Sequence, residues 1–113
     1  MSNSRRVCIP ITIDTSAAIE RGFRAPFDGH IVSVGYAVNV AITAASTALT
    51  CEIDGTAVTG AGATIPTTDA VGRTRVSFPT AAQTFRKGQY VSLVGDGGGD
   101  AGNVTALFDL EQA

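Results

Sequence analysis

Hydrophobic and polar positions alternate along much of this chain with a period of two, and the stretch from Ala25 to Ala41 carries the longest run. In it Val32, Val34, Tyr36, Val38 and Val40 fall on one face of an extended strand, and Ile31, Ser33, Gly35, Ala37, Asn39 and Ala41 on the other. The run is rich in β-branched residues and no helical spacing fits it, so it predicts a strand. The valine and tyrosine face needs a core. The opposite face is small and uncharged, which suits contact with another surface better than exposure to water. Ser33, Gly35, Ala37 and Asn39 are therefore the candidate subunit-interface residues.

Shorter runs of the same kind flank it. Val7 to Ile13 reads as a strand with Val7, Ile9, Ile11 and Ile13 on one face, and Pro10, which lacks a backbone donor, places it at a sheet edge or breaks it. Ile19 to Arg24 is a second short strand, with Phe23 and Phe27 as core anchors, and Pro26-Phe27-Asp28-Gly29 is a turn. Thr47 to Ile53 alternates again. Asp54-Gly55 after it predicts a type I′ hairpin turn that pairs Ile53 with Thr56 and Cys51 with Val58. Arg73 to Phe78 reads as a strand with Val76 and Phe78 inward and Arg73 and Arg75 outward. Tyr90 to Val94 follows, then the glycine-rich loop Gly95 to Gly102. A last strand turns Val104, Ala106, Phe108 and Leu110 inward. Seven or eight short strands separated by turns predict an all-β, antiparallel β-sandwich, jelly-roll-like, although strand count alone does not separate a jelly roll from a simpler sandwich. Residues 1–18 read as an N-terminal arm with an edge strand, and 19–113 as the sandwich domain.

Composition narrows the function classes. The 113 residues suit one domain. Only 16% of them are charged, against roughly 25% in average globular proteins, which suggests that part of the surface is hidden in an assembly. The net charge is −2, and no basic field of the kind nucleic acid requires is present. Arginines gather in residues 1–24, while Asp96, Asp100, Asp109 and Glu111 make the end acidic. The two ends could mate head to tail between subunits or with a partner, or be unrelated solvated ends. The start, MSNSRRVCIPITID, lacks the long apolar core of a secretory signal, and the uncharged run Ile31 to Cys51 alternates too regularly for a transmembrane helix. The chain is expected to be made and used without crossing a membrane.

Candidate chemistry is sparse. His30 is the single histidine, and no serine or cysteine is arranged beside it as a nucleophile. Cys8 and Cys51 sit at apolar-patterned positions and read as buried free thiols, and with one histidine they give no zinc spacing. The loop from Asp96 to Asp100 lacks the ligand pattern of an EF-hand. It reads as a hairpin connection, with an incidental cation on Asp96 and Asp100 as the alternative. Tyr36 and Tyr90 read as core-edge residues, and with that loop they are all a glycan-binding module could use. The sequence gives no catalytic, cofactor or metal assignment. The polar arm Ser2, Asn3, Ser4, Arg5 and Arg6 is expected to be flexible until a partner orders it, and is the candidate partner-binding segment.

Three segments, FRAPFDGHIVSVGYAV at 23–38, CEIDGTAVTGAGATI at 51–65 and PTAAQTFRKGQYVSLVGDGG at 79–98, together resemble the head decoration (cement) proteins of tailed bacteriophages. The resemblance spans about residues 19 to 112; residues 1–18 carry no matching motif. It implies a compact β-sandwich that trimerises and sits on the outer surface of the mature capsid, made in the host cytoplasm and finally part of the virion. Its partners would be the major capsid protein lattice and its own copies, with no nucleic acid, no membrane and no catalysis. The other reading is a glycan- or ligand-binding surface module of a virion.

Overall fold

The alternation becomes strand in the computed structural model, which describes residues 5–98 and 101–113. Its elements are β1 (Arg6–Asp14), β2 (Ala18–Arg24), β3 (Gly29–Val40), β4 (Thr47–Ile53), β5 (Thr56–Ala57), β6 (Ala63–Ile65), β7 (Thr74–Ser77), β8 (Thr84–Phe85), β9 (Tyr90–Asp96) and β10 (Asn103–Gln112). Ten strands appear among the described residues, where the sequence predicts seven or eight. Among the additions, the two-residue strand β8 is too short for alternation to announce, whereas β5 is the partner strand that the Asp54-Gly55 hairpin predicts. The Asp54-Gly55 turn forms as expected: φ is 48° at Asp54 and 84° at Gly55, the two positive values of a type I′ turn. Ile53 stands opposite Thr56, and the Val58 N–H donates to the Cys51 carbonyl at 2.8 Å.

The strands make two antiparallel sheets packed face to face. The first runs β1-β10-β3-β7, with β8 also on β3; the second runs β2-β9-β4-β5, with β6 also on β4. Pairing is nested: β1 with β10, β2 with β9, β3 with β7 and β8, β4 with β5 and β6, alternating between sheets. This is the wrapped arrangement of a jelly roll. Its core comes from the inward positions, among them Tyr36, Phe108 and Leu110 of the first sheet and Cys51, Val91 and Leu93 of the second, all buried. Each large apolar side chain removed from water contributes about 1.5–3 kcal/mol. Phe23 of β2 meets Phe108 of β10 edge to face at 5.5 Å, which ties the second sheet to the first.

Two irregularities in β3 change which of its residues face this core. Asp109 stands opposite Ser33 but Leu110 opposite Ile31, leaving Val32 as an extra residue. Asn103 opposes Val40 but Val104 opposes Val38, leaving Asn39 extra. Each is a β-bulge, and alternation shifts by one position on passing it. The core face is therefore Ile31, Val34, Tyr36 and Val38. Val32 and Val40, predicted inward, leave it, and Ile31, predicted outward, joins it. Tyr36 is no edge residue; it is among the largest fully buried side chains.

The phase of β7 is also the reverse of the sequence reading. Val34 opposes Ser77 and Tyr36 opposes Arg75, which puts Val76 opposite Gly35 on the outside. Asp69 supplies the cause. Buried in the preceding loop, it accepts two hydrogen bonds from Arg75, Nε to Oδ2 at 2.7 Å and Nη2 to Oδ1 at 2.8 Å. A buried carboxylate needs such a partner, so Arg75 turns toward it and Val76 and Phe78 turn to water.

The two long sides of the sandwich differ. On the β7 side, cross-links join the sheets: Ser77 Oγ donates to the Gly62 carbonyl at 2.8 Å, Thr80 N–H to Thr59 at 2.8 Å, and Thr59 N–H to Ala81 at 3.1 Å. On the other side β1 and β2 are the free edges, and Val7, Ile9, Ile11, Ile19 and Phe23 are only half-buried between them. The Gln112 N–H bonds the Arg5 carbonyl. By the alternation of an antiparallel ladder, Val7, Ile9, Ile11 and Ile13 then bond β10 while Pro10 directs its missing donor to the open edge. Pro10 thus interrupts the outward row of β1 against a further strand, while β2 has no proline in its edge.

Candidate interaction surface

The outer face of the first sheet reads in rows across β1, β10, β3 and β7. The central rows are Pro10, Leu107, Gly35, Val76 and then Thr12, Thr105, Ala37, Thr74. Neither holds a charge. Leu107 is 41% exposed, Val76 57% and Phe78, just past the end of β7, 66%; Val40 and Val71 are exposed as well. Large apolar side chains gathered on one sheet face are a mark of an interaction site. The polar members of the face bond one another: Thr12 and Thr105 hydroxyls lie 2.8 Å apart, and Asn39 Nδ2 donates to Asn103 Oδ1 and Thr105 Oγ1, each at 2.7 Å. Polar groups already paired cost less to take out of water.

Ser33, Gly35, Ala37 and Asn39 do lie together on this face, the first three half-buried and Asn39 exposed. The sequence reading missed the residues around them, Leu107, Val76 and Phe78. Leu107 was open to inference, since its neighbours Ala106 and Phe108 alternate inward. Val76 and Phe78 were hidden by the reversed phase of β7.

The outer face of the second sheet is different in kind. Its rows bring together Glu20, Val94 and Thr50, then Gly22, Ser92 and Glu52. Ser92 Oγ donates to Glu20 Oε2 at 2.7 Å, and Arg24 stacks on the Tyr90 ring with its guanidinium carbon 5.2 Å from the centroid. Tyr90 is half-buried with one ring face under this guanidinium, and Tyr36 is in the core with its hydroxyl donating to the Ala61 carbonyl at 2.6 Å. Burial raises the Tyr36 phenol above its ordinary pKa and pushes the Cys51 thiol up to about 12.

The remaining candidates are scattered. Ser2, Asn3 and Ser4 lie outside the described residues, as does Asp100. Arg5 is exposed beside a cleft of about 370 Å³ that Phe27, Asp28 and Lys87 also line. Arg6, expected in a flexible arm, opens β1 and pairs with Glu111 at 3.2 Å and Asp109 at 3.7 Å. The arginine-bearing start and the acidic end therefore meet within one molecule. His30 Nε2 lies 3.9 Å from Glu111 Oε1 at the end of the same sheet. Asp96 Oδ1 accepts the N–H groups of Ala48 and Gly98, holding the turn. Cys8, expected buried, is exposed, because its position in β1 alternates with the inward Val7 and Ile9. Among the described residues no three His, Cys, Asp or Glu side chains group as a metal site, and no helix is long and apolar enough to cross a membrane. No protein-family model matches the chain, and no curated protein sequence matches it.

Proposed function

We propose that this protein is a structural subunit of a virus particle, a decoration protein that seats on the outer surface of a phage capsid as a homotrimer and stabilises the shell by adhesion, without catalysis. The observation that carries this reading is the contrast between the two outer faces of the sandwich. One is charged and solvated; the other is uncharged in its central rows, apolar at Leu107, Val76 and Phe78, and internally hydrogen-bonded in its polar part. A face of that kind favours lasting contact with protein. The resemblance of segments 23–38, 51–65 and 79–98 to head decoration proteins supports the same reading, and the jelly-roll wrap is one that viral capsid domains use.

In this reading, copies closing into a ring cover open sheet edges. Ser2, Asn3, Ser4 and Arg5 add contact with the major capsid protein lattice. A glycan-binding module has less to rest on, with Tyr36 buried and one ring face of Tyr90 under Arg24. Two measurements test the proposal: mass by light scattering at several concentrations, and cosedimentation with heads of the encoding phage assembled without this protein. Trimers that pellet with heads and raise their resistance to heat are expected. Failure to pellet with the heads overturns the capsid role.

A further inference from the structure

The second sheet ends at β2, whose far side pairs with no strand among the described residues. The Ala25 N–H donates to the Gln89 carbonyl at 2.8 Å, and by the alternation of the ladder Phe23, Arg21 and Ile19 bond β9 in the same sense. Ala18, Glu20, Gly22 and Arg24 then turn their N–H and C=O groups to the open side, along about 20 Å of strand at about 3.3 Å per residue. No proline interrupts this row, and an unpaired row of that kind is a template for a further strand. Beside it, Ile9 and Ile11 of β1 and Ile19 and Phe23 of β2 are only half-buried in the gap between the sheets, so the inward side chains of an added strand would have apolar surface to cover. One residue breaks that lining. Arg21 stands between Ile19 and Phe23 on the same side of β2 and is exposed. The ion pairs among the described residues use Arg6, His30 and Arg75, and none uses Arg21.

We infer that the open edge of β2 takes up an extended segment of another protein as an added strand, and that Arg21 selects a segment with a carboxylate facing it. The inference goes beyond the decoration reading and stands without it. In strand addition the backbone hydrogen bonds supply affinity, and alternate side chains supply specificity. Charge chooses the occupant here. An apolar strand laid on β2 covers the Arg21 guanidinium with nothing to pair it, and a basic strand sets a like charge against it; both are costly. A glutamate opposite Arg21 gives the guanidinium charge-assisted hydrogen bonds instead. A second copy is a poor occupant, because antiparallel pairing of two β2 strands about Arg21 sets Arg21 against Arg21, and like charges directly opposite are destabilising. β2 carries Arg21 and Arg24 against Glu20, whose carboxylate Ser92 already engages. The edge is therefore cationic on a chain of net charge −2. The segment that fits has an acidic residue with an apolar one two places to either side, which lie over Ile19 and Phe23.

The test is titration of the whole chain with the synthetic peptide acetyl-TVTETVT-amide, followed by backbone amide NMR. The Glu20 and Gly22 amides are expected to shift and to exchange more slowly with solvent as the peptide binds. Two control peptides leave the protein unchanged. One has lysine in place of the glutamate; the other is N-methylated at the two threonines beside the glutamate, the positions that would bond the edge. Each should bind at least about tenfold more weakly. Arg21→Glu alters an exposed side chain and should reverse the preference between the glutamate and lysine peptides, with strand circular dichroism retained. Wild-type protein that does not bind the glutamate peptide overturns the inference and leaves Arg21 as a guard against strand addition. Equal binding of either control, shifts confined to another surface, or a folded Arg21→Glu protein that still prefers the glutamate peptide overturns it as well. No capsid enters this experiment, so the two proposals fail separately. Protein that pellets with heads but binds no peptide sinks the strand-addition site alone, whereas peptide binding without pelleting sinks the capsid role alone.

Discussion

The Tyr36 hydroxyl reaches from the first sheet to the carbonyl oxygen of Ala61, in the loop between β5 and β6, and both residues are sealed from water. Tyr36→Phe keeps the ring and removes the donor, leaving that carbonyl unpaired. A destabilisation of about 1–3 kcal/mol is expected, read as a lower urea midpoint with an unchanged slope. A midpoint equal to the wild type would show that water or a backbone shift replaces the bond.

Asp69 and Arg75 set a pH dependence. The guanidinium hydrogen-bonded to it holds the Asp69 carboxyl below its ordinary value. A carboxyl whose folded pKa is depressed contributes stability above its unfolded pKa, about 3.9, and that contribution is lost as pH falls through the folded value. Asp69→Asn should therefore melt below the wild type at pH 7, and the gap should narrow as pH is lowered past about 4. A gap of constant size from pH 7 to pH 3 would mean that the charge of Asp69 is not what matters.

The two thiols should part company. Cys8 is exposed, whereas Cys51 is buried with its thiol pushed up to about 12. The native chain is expected to react with one equivalent of a thiol-directed disulfide reagent at pH 8, and with two in denaturant. Cys8→Ser should abolish the native reaction and leave one equivalent in denaturant.

Glycines divide by location. A Cβ at Gly22 would lie 2.1 Å from the Val91 carbonyl oxygen, a backbone atom that has no room to retreat. Gly22→Ala should prevent soluble folding or lower the melting temperature by more than about 10 °C, a shift of at least 1–2 kcal/mol for a chain of this size. Gly35→Ala should leave the melt of the isolated chain within about 0.5 kcal/mol of wild type. Parallel thermal scans decide between them.

Much of the fold was legible because alternation and turn chemistry report backbone geometry directly. Thr47–Ile53, the Asp54-Gly55 turn and the inward set of Val104, Ala106, Phe108 and Leu110 stand as read. The bulges at Val32 and Asn39 were not legible, since valines recur at every second position through both and the extra residue shows only against β10. The phase of β7 was misread because Val76 and Phe78 look like core until Asp69 is seen to claim Arg75. Half of the candidate surface, Ser33 to Asn39, was visible in one strand. The other half lies on β10 and β7, brought beside it by pairings of long sequence separation.

The pairing of β1 with β10 makes the sandwich close last where it began. Arg6 and Glu111, joined across the ladder, are 105 residues apart, so during synthesis β1 waits without its partner until β10 has emerged. Long-range closure of this kind is slow and leaves an apolar strand open to other nascent chains. Pro10 stands in the middle of that waiting strand, and the proline that breaks the finished edge also guards the segment during synthesis.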